Sequence, residues 1–553
     1  MRRRLSTWLP LLTAVVAVLV RLPFLTKAES LLNSDEAIEG LMARHIFEWP
    51  ILYWGQGYRG VPEVYLVAPV FAMVGAGVVQ MKIVTIAIWA AAVACTTRLG
   101  QRWSGDLAGG VAGLCLAFGA PPLVSWTVSG NAEVAWLTLI FAGVLLAYER
   151  SATQPASPIS PFVPFGCAAA IFVQPIAASF VAGLAVTAGL RSRWWHTHGW
   201  RGFVDLLAGR PHRGAIRLVI LIGHALLACF VAAFLWTYLG GDVQLGVVTA
   251  RHPQKVFREV AAVTAILVVV HALSGVVVAR GRALRAFGWF AIGLAPVALH
   301  MLRGGAVGSL ISVYRITDLP GLAGIFLADS LPMVIGTRDL NSVPIVPWWT
   351  PVALCVLIGV QLVATSREWL GRTAGAPEAR SVVAVYTLLA LLLMLFAGGI
   401  FSDVTSYRYV LPFFGLAALA AGAGARRIAS RSRVVAGLLV ATSLAGFAVA
   451  DIRWFRSVGV DDSDHVIARC LEDRGIRAAT ADYWIAYRMT FLAGERVIVN
   501  PSQMVRYQPY ADLVRQAPKR AWIQYTDRPV ERVDGEVICR AATLEAVVVD
   551  PVR

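Results

Sequence analysis

"LLNSDEAIEGLMARHIFE", residues 31–48, decides how the rest of the chain is interpreted. It follows directly on an apolar N-terminal segment and sets Asp35 and Glu36 side by side. Apolar side chains recur at helical spacing after them, which predicts an amphipathic helix over 34–48 that lies along a membrane surface. A protein as apolar as this one needs a reason to place two adjacent carboxylates there.

The composition of the chain predicts a membrane protein. Of its 553 residues, 58% are hydrophobic and 15% charged, and the mean hydropathy is +0.66. Each crossing of the hydrocarbon layer takes about 20 residues, so the sequence predicts an all-α polytopic bundle of about thirteen spans. The predicted spans lie near 8–25, 81–99, 106–123, 131–148, 162–174, 176–190, 217–238, 260–279, 284–301, 347–366, 381–399, 409–425 and 434–451. Pro175 leaves open whether 162–190 is one bent span or a hairpin.

The net charge of +16 comes almost entirely from arginine. The arginines cluster between alternate apolar spans, as the positive-inside rule expects, and this pattern argues against a nucleic-acid partner. It places the N-terminus in the cytoplasm and, with an odd number of spans, residues 452–553 outside. The arginine bias indicates a GC-rich genome, so we expect a bacterial cytoplasmic membrane.

Residues 452–553 differ in character from residues 1–451. Helical and β-rich runs alternate there, which predicts a small α/β extracytoplasmic C-terminal domain. If the domain is extracytoplasmic, Cys470 and Cys539 can form a disulfide; otherwise they remain free. Residues 482–499 mix aromatic and charged side chains, and either cap a site or form the domain's own core.

Asp35 and Glu36 have a purely structural interpretation. Asn33 can cap the helix, Glu36 then occupies the third position of a capping box, and Asp35 lies in the first turn, where negative charge is favoured. The functional interpretation is sugar transfer from a lipid phosphate. The acceptor hydroxyl needs a carboxylate base, attack opposite the phosphate inverts the anomeric carbon, and an arginine can hold the departing phosphate.

Four motifs carry a resemblance to a known family: "NSDEA" (33–37), "YWGQGYRGVPEVYLVAPVF" (53–71), "SGNAEV" (129–134) and "YRYVLP" (407–412). Their order, with Asp-Glu in the first outer loop directly after the first span, resembles the type C glycosyltransferase superfamily. Protein O-mannosyltransferases and aminoarabinose transferases belong to it. The resemblance implies a transmembrane glycosyltransferase domain over 1–451 with its catalytic outer loop at 26–80.

The resemblance also implies site residues. Asp35 is the expected catalytic base, and Glu36 is expected to support it or to bind substrate. Glu133 stands where many relatives have aspartate, and Arg408 is expected to face the donor phosphate. The residues expected to bind substrate are Gln56, Tyr58, Arg59, Glu63, Glu133 and Arg408. Each has a structural alternative: a solvated loop residue for Glu133, a turn with interfacial aromatics for 56–63, and a side chain reaching out of a span end for Arg408.

The expected function is an inverting transfer of a monosaccharide from a polyprenyl-phosphate donor to a glycan, lipid or protein acceptor, among membrane lipids. No metal signature is visible and no cofactor is required. A divalent cation between Asp35 and Glu133 is the alternative that oligosaccharyltransferases of the wider fold imply. The rival functions are a transporter or flippase of lipid-linked sugars, a non-catalytic partner of another membrane enzyme, and a polymerase or ligase of surface polysaccharide.

Overall fold

The structure is a computed structural model. It describes residues 2–153, 160–190, 193–212, 214–241, 243–245, 248–250, 253–274, 280–305, 315–335, 349–371, 404–527, 533 and 535–549. Up to residue 371, the helices are α1 Arg2–Arg21, α2 Ser34–Arg44, α3 Val64–Val74, α4 Val78–Ser104, α5 Asp106–Phe118, α6 Pro121–Val128, α7 Glu133–Thr153, α8 Phe162–Val173, α9 Ala178–Leu190, α10 Arg193–Leu207, α11 Gly214–Tyr238, α12 Pro253–Leu273, α13 Arg280–Leu302, α14 Leu319–Ile325, α15 Leu331–Val334 and α16 Trp349–Gly371. A short hairpin of β1 Val243–Leu245 and β2 Val248–Ala250 joins α11 to α12.

The rest of the chain completes the bundle and adds the C-terminal domain. Its helices are α17 Phe414–Ala429, α18 Arg433–Ser457, α19 Ser463–Asp473, α20 Tyr483–Leu492 and α21 Gln508–Gln516. Its strands are β3 Ala478–Ala481, β4 Ile498–Pro501, β5 Arg520–Tyr525, β6 Val537–Arg540 and β7 Leu544–Val549. The polytopic helical bundle and the small α/β domain predicted from the sequence are both confirmed.

Within the described residues, eight helices are long and apolar enough to cross a membrane. The predicted span at 106–123 is interrupted in the structure, where α5 and α6 bend by 74° at Gly119, whose φ is +61°. The predicted span at 131–148 corresponds to α7, which is long and apolar enough to cross a membrane. The segment 162–190 forms two short helices that are separated at Pro175. The predicted span 381–399 lies outside the described residues, so the count of about thirteen stays a prediction.

Small residues allow the helices of the bundle core to approach closely. A Cβ on Gly100 of α4 would lie 2.8 Å from the Cα of Gly109 on α5. A Cβ on Gly422 of α17 would lie 2.1 Å from the carbonyl oxygen of Ala108. Because lipid offers no hydrophobic drive between helices, contacts of this kind hold membrane bundles together. They hold α4 and α17 closely against α5.

The C-terminal domain is a mixed five-stranded sheet with strand order β4-β3-β5-β7-β6. β3 pairs in parallel with β4 and β5, and β7 runs antiparallel to both β5 and β6. A core of its own includes Ile467, Met489 and Ile523. Cys470 of α19 and Cys539 of β6 are joined as a disulfide. Helix α21, over "QPYADLVRQ", was not predicted from the sequence.

The amphipathic helix predicted over 34–48 is α2, but it does not lie free on a surface. Every residue from Glu36 to Ala43 is buried. A Cβ on Gly40 would lie 2.5 Å from the ring of Phe491 in the C-terminal domain and 2.6 Å from the sulfur of Met81 in α4. The helix is therefore enclosed between the bundle and the C-terminal domain, and its apolar stripe packs on protein.

Candidate active site

The start of α2 separates the two adjacent carboxylates. Asn33 caps the helix, its side chain accepting the backbone N–H of Glu36 at 2.9 Å. The return half of the predicted capping box is not formed, because the Glu36 carboxylate accepts from Lys82 Nζ and from the Gly130 N–H instead, each at 2.6 Å. Successive helical side chains point about 100° apart, so Asp35 and Glu36 face different surroundings.

Asp35 is partly exposed, and one of its carboxylate oxygens accepts hydrogen bonds from two phenol groups. Tyr53 donates to Oδ1 at 3.3 Å and also to the Asp35 carbonyl at 3.0 Å. Tyr483, from the C-terminal domain, donates to the same Oδ1. Oδ2 accepts no hydrogen bond from the part of the chain that the structure describes. Burial raises the pKa of both tyrosines above the usual range, and the negative charge of Asp35 adds to the shift, so both phenols keep the proton they donate.

Glu36 and Lys82 form a buried ion pair next to Asp35. Glu36 is 0% exposed and Lys82 is 1% exposed. A Cβ on Gly130 would lie 2.9 Å from Cγ of Glu36, so only glycine lets the 129–133 loop reach this carboxylate. The pair therefore fixes the first turn of α2 against α4 and that loop.

A second group of buried charges, the Arg59 cluster, consists of Arg59, Glu39, Glu63, Asn131 and Glu133. Arg59 Nη2 donates to Glu39 Oε1, to Glu63 Oε1 at 3.3 Å and to Asn131 Oδ1 at 2.6 Å. Its Nε lies 3.1 Å from Oε2 of Glu133, which also accepts from Gln174 at 3.0 Å. Three carboxylates thus share one guanidinium in a place that water barely reaches.

This excess of carboxylates changes how they titrate. Burial, and then the neighbouring Glu63, raise the pKa of Glu39 well above its usual range, although Arg59 opposes the shift. Burial also raises the pKa of Glu63 against the influence of Arg59. Because a single cation cannot balance three buried anions, the cluster favours binding a proton.

The remaining predicted residues lie around the same space. Tyr58 donates to Gln56 Oε1 at 3.0 Å, and burial raises the pKa of its phenol to about 12. Arg408 donates from Nη2 to the Tyr409 hydroxyl at 3.0 Å, and its charge interacts with both Asp35 and Glu133. The eight residues predicted from the sequence therefore gather at one end of the bundle, and their roles stay predictions.

Several residues of this region were missed or misread in the sequence. Tyr53 was not predicted as a site residue, yet it is 2% exposed and bound to Asp35. Lys82 opens a predicted span, and a charge inside a span is a signal that could have identified it. Glu39 was not predicted either. In 482–499, Tyr483 contacts Asp35 while Met489 lies in the domain core.

The C-terminal end of α2 is tied to the C-terminal domain by a group we name the histidine clamp: Arg44, His45, Glu48, Glu495, Tyr507 and Tyr510. His45 Nε2 lies 2.8 Å from Glu495 and Nδ1 lies 2.7 Å from Glu48. Tyr510 donates to Glu495 at 2.6 Å. Two carboxylates on one imidazole require both ring nitrogens to be protonated. The hydrogen bond to Glu495 accordingly raises the pKa of His45, with Glu48 adding to it against partial burial.

A divalent cation does not fit between Asp35 and Glu133 in this arrangement. Glu133 Oε2 is occupied by Arg59 and Gln174, and Asp35 Oδ1 by two phenols. Arg408 adds a positive charge that interacts with both carboxylates. Among the described residues, no group of three or more His, Cys, Asp or Glu could hold a metal ion. We therefore derive no chemical step through a metal.

Comparison with known proteins shows the fold. No protein-family model matches the sequence, and no curated protein matches it either. The archaeal oligosaccharyltransferase AglB from Archaeoglobus fulgidus, solved with an inhibitory peptide and a dolichol-phosphate, is similar over 94% of this chain and 69% of its own, with TM-score 0.50 and 12% identity. ArnT from Cupriavidus metallidurans, bound to undecaprenyl phosphate, matches over 97% of both chains with TM-score 0.35 and 15% identity.

The similarity to the oligosaccharyltransferase gives this protein the type C glycosyltransferase fold. The fold class that the four sequence motifs implied is confirmed. At 12% identity the similarity extends to the fold alone, so the chemistry has to be argued from the site.

Proposed function

We propose that the protein is an inverting glycosyltransferase that moves a monosaccharide from a polyprenyl-phosphate donor to a cell-envelope acceptor, with Asp35 as general base. The reaction would occur on the extracytoplasmic face of a bacterial cytoplasmic membrane. The Cys470–Cys539 disulfide supports that side, because disulfides persist in oxidising compartments.

The observation that carries this proposal is that, of the five carboxylates in this region, only one is partly exposed. Glu36, Glu39, Glu63 and Glu133 are 0%, 3%, 1% and 5% exposed, and each is engaged by a cation. Asp35 alone in this group is partly exposed, and its Oδ2 has no hydrogen-bond donor among the described residues. A general base must reach the proton it removes, and Asp35 is the group that can.

In the proposed reaction, Asp35 Oδ2 takes the proton of the acceptor hydroxyl while that oxygen attacks the anomeric carbon. The bond between the anomeric carbon and the phosphate oxygen breaks, and its electron pair leaves with the polyprenyl phosphate. Attack on the face opposite the phosphate inverts the configuration. Arg408, which interacts with Asp35 through its charge, is the cation we assign to the departing phosphate.

The other predicted residues divide into two groups in this proposal. Gln56 and Tyr58 line the space beside Arg408, and we assign them to the sugar or the phosphate. Arg59 forms buried ion pairs with Glu63 and Glu133, so we assign these three residues to shaping the pocket. Glu36 supports Asp35 by fixing the first turn of α2 through Lys82.

A solved structure with the same fold supports the proposed donor class. The oligosaccharyltransferase with the same fold was solved with a dolichol-phosphate, a polyprenyl phosphate. A lipid of this kind places its phosphate and sugar at the membrane surface, and the site lies where α2 and the ends of the spans meet. This is the reason we propose for two carboxylates beside the membrane.

The test compares Asp35→Asn with the wild type and with Asp512→Asn, which changes an exposed carboxylate paired with Arg515. Each purified protein receives undecaprenyl-phosphate-linked monosaccharides and membrane extract as the acceptor source. We expect Asp35→Asn to lose roughly 10²–10⁴-fold in turnover while it still binds donor, and Asp512→Asn to match the wild type. Full turnover by Asp35→Asn contradicts the proposal.

The same assay in sealed vesicles separates the rival function. A transporter or flippase moves the lipid-linked sugar across the membrane and leaves the sugar–phosphate bond intact. Donor that changes sides without consumption identifies a flippase and overturns the transferase proposal. Consumption of donor together with a glycosylated product supports it.

A further inference from the structure

The catalytic base of the proposed reaction is held by two hydroxyls from distant parts of the chain. Tyr53 belongs to the loop after α2, whereas Tyr483 is the first residue of α20, 448 positions away from Asp35. Both donate to the same oxygen, Oδ1. Two donors on one carboxylate oxygen fix the plane of the group and direct the other oxygen outward.

Local structure fixes Tyr483 in this position. β3 ends at Ala481, and the Asp482 side chain caps α20 by accepting the N–H of Trp484 at 2.9 Å. The backbone of Tyr483 is bound as well, because its carbonyl accepts the Ser34 hydroxyl at 2.6 Å. Ser34 is the first residue of α2, so the two helix starts are joined directly beside Asp35.

Packing further along the two helices maintains this register. The ring of Phe491 in α20 leaves no room for a Cβ at Gly40 of α2. Arg506, from the same domain, donates to the Gly55 carbonyl at 3.1 Å and lies 5.5 Å from the ring centre of Tyr483. The Tyr483 phenol therefore cannot leave Asp35 without displacing several contacts between the domain and the bundle.

We infer that Tyr483 is a positioning residue for Asp35, and that docking of the C-terminal domain completes the catalytic base. This inference rests on the proposed function, since it needs Asp35 to act as a base. Tyr483 does not touch the reacting atoms; it holds Oδ1 so that Oδ2 faces the acceptor hydroxyl.

One consequence follows for the kinetics. Loss of the Tyr483 hydroxyl frees the carboxylate to rotate, which lowers kcat and leaves the KM for the donor near its wild-type value. A hydrogen bond to a charged group corresponds to roughly 10- to 100-fold in rate.

The experiment compares Tyr483→Phe with Tyr487→Phe. Tyr487 lies one turn further along α20 and is also a buried phenol, but it accepts the backbone N–H groups of Arg506 and Tyr507 and does not contact Asp35. We expect Tyr483→Phe to lower kcat roughly 10- to 100-fold while the KM for the donor stays at its wild-type value. We expect Tyr487→Phe to leave kcat where the wild type has it.

A third variant covers the case in which Tyr483→Phe fails to fold. Replacing Tyr483 with 4-fluorophenylalanine nearly keeps the volume of the side chain and removes only the hydrogen-bond donor, so kcat should again fall while the KM for the donor is unchanged. An unchanged kcat in both Tyr483 variants, while Asp35→Asn is inactive, overturns the positioning role and leaves the transferase proposal standing. An active Asp35→Asn variant removes the transferase mechanism and this inference with it.

Discussion

The Arg59 cluster and the histidine clamp hold the same helix, α2, in two different ways. The Arg59 cluster binds Glu39 from the side of the bundle, and none of its charged side chains is more than 7% exposed. The histidine clamp binds Arg44 and His45 from the side of the C-terminal domain, and its side chains at His45 and Glu495 are each 24% exposed. The comparison contrasts a buried attachment to the bundle with a partly exposed attachment, through a histidine, to the C-terminal domain.

The largest expected effect is the removal of the shared cation. Arg59→Met leaves three carboxylates buried without a counter-charge, and breaking a buried ion pair in this way costs about 3–5 kcal/mol. Reversible unfolding in mixed detergent micelles measures the loss. The matched variant is Glu39→Gln, for which we expect less than about 1 kcal/mol, because burial already favours the protonated form of this group. Equal losses of unfolding free energy in the two variants would falsify the claim that burial favours the protonated form of Glu39.

A medium effect is expected at the clamp, and it depends on pH. The raised pKa of His45 means that its contribution to docking is complete below about pH 6.5, the usual pKa of histidine, and is lost as pH rises through the raised value. Hydrogen exchange of 483–492 at several pH values, corrected for the intrinsic rate, should show faster opening at alkaline pH. His45→Gln should show fast opening at every pH. A wild type without this pH dependence would remove the contrast between the two attachments.

The smallest effect is expected at the rim of the clamp. Glu48 accepts the Tyr507 hydroxyl on both oxygens at 2.9 Å, but its side chain is 49% exposed. Glu48→Gln should therefore change the unfolding free energy by no more than about 0.5 kcal/mol in the same micelle assay. A loss as large as that of His45→Gln would show that the rim, and not the imidazole, carries the docking.

Much of the fold was accessible from the sequence because hydropathy and periodicity report on burial directly. The first span, the long apolar spans after it and the alternation in 452–553 all predicted elements that the structure has. The bend at Gly119 was not accessible, because the positive φ of one glycine interrupts an otherwise continuous apolar run. Helix α21 was missed since its short sequence is mostly polar.

Residues of the candidate site could be predicted from the sequence only where they lie in one of the four motifs. Asp35, Glu36, Arg59 and Glu133 lie in segments that resemble the family, and the structure gathers them. Tyr483 lies far from those segments, and no local pattern shows that a tyrosine after β3 will meet a carboxylate near the N-terminus. Such a pair depends on how the C-terminal domain docks on the bundle, and the order of residues in the sequence does not show this.

The hydrogen bond between Tyr483 and Asp35 also has a consequence for biosynthesis. The ribosome makes Asp35 among the first residues and Tyr483 more than four hundred residues later, so the site cannot assemble while the chain is still being made. Spans can insert and pack in order, but Asp35 gains its Tyr483 partner only after the C-terminal domain has folded. In the proposed mechanism, a chain that ends before residue 483 would therefore enter the membrane without the residue that positions its base.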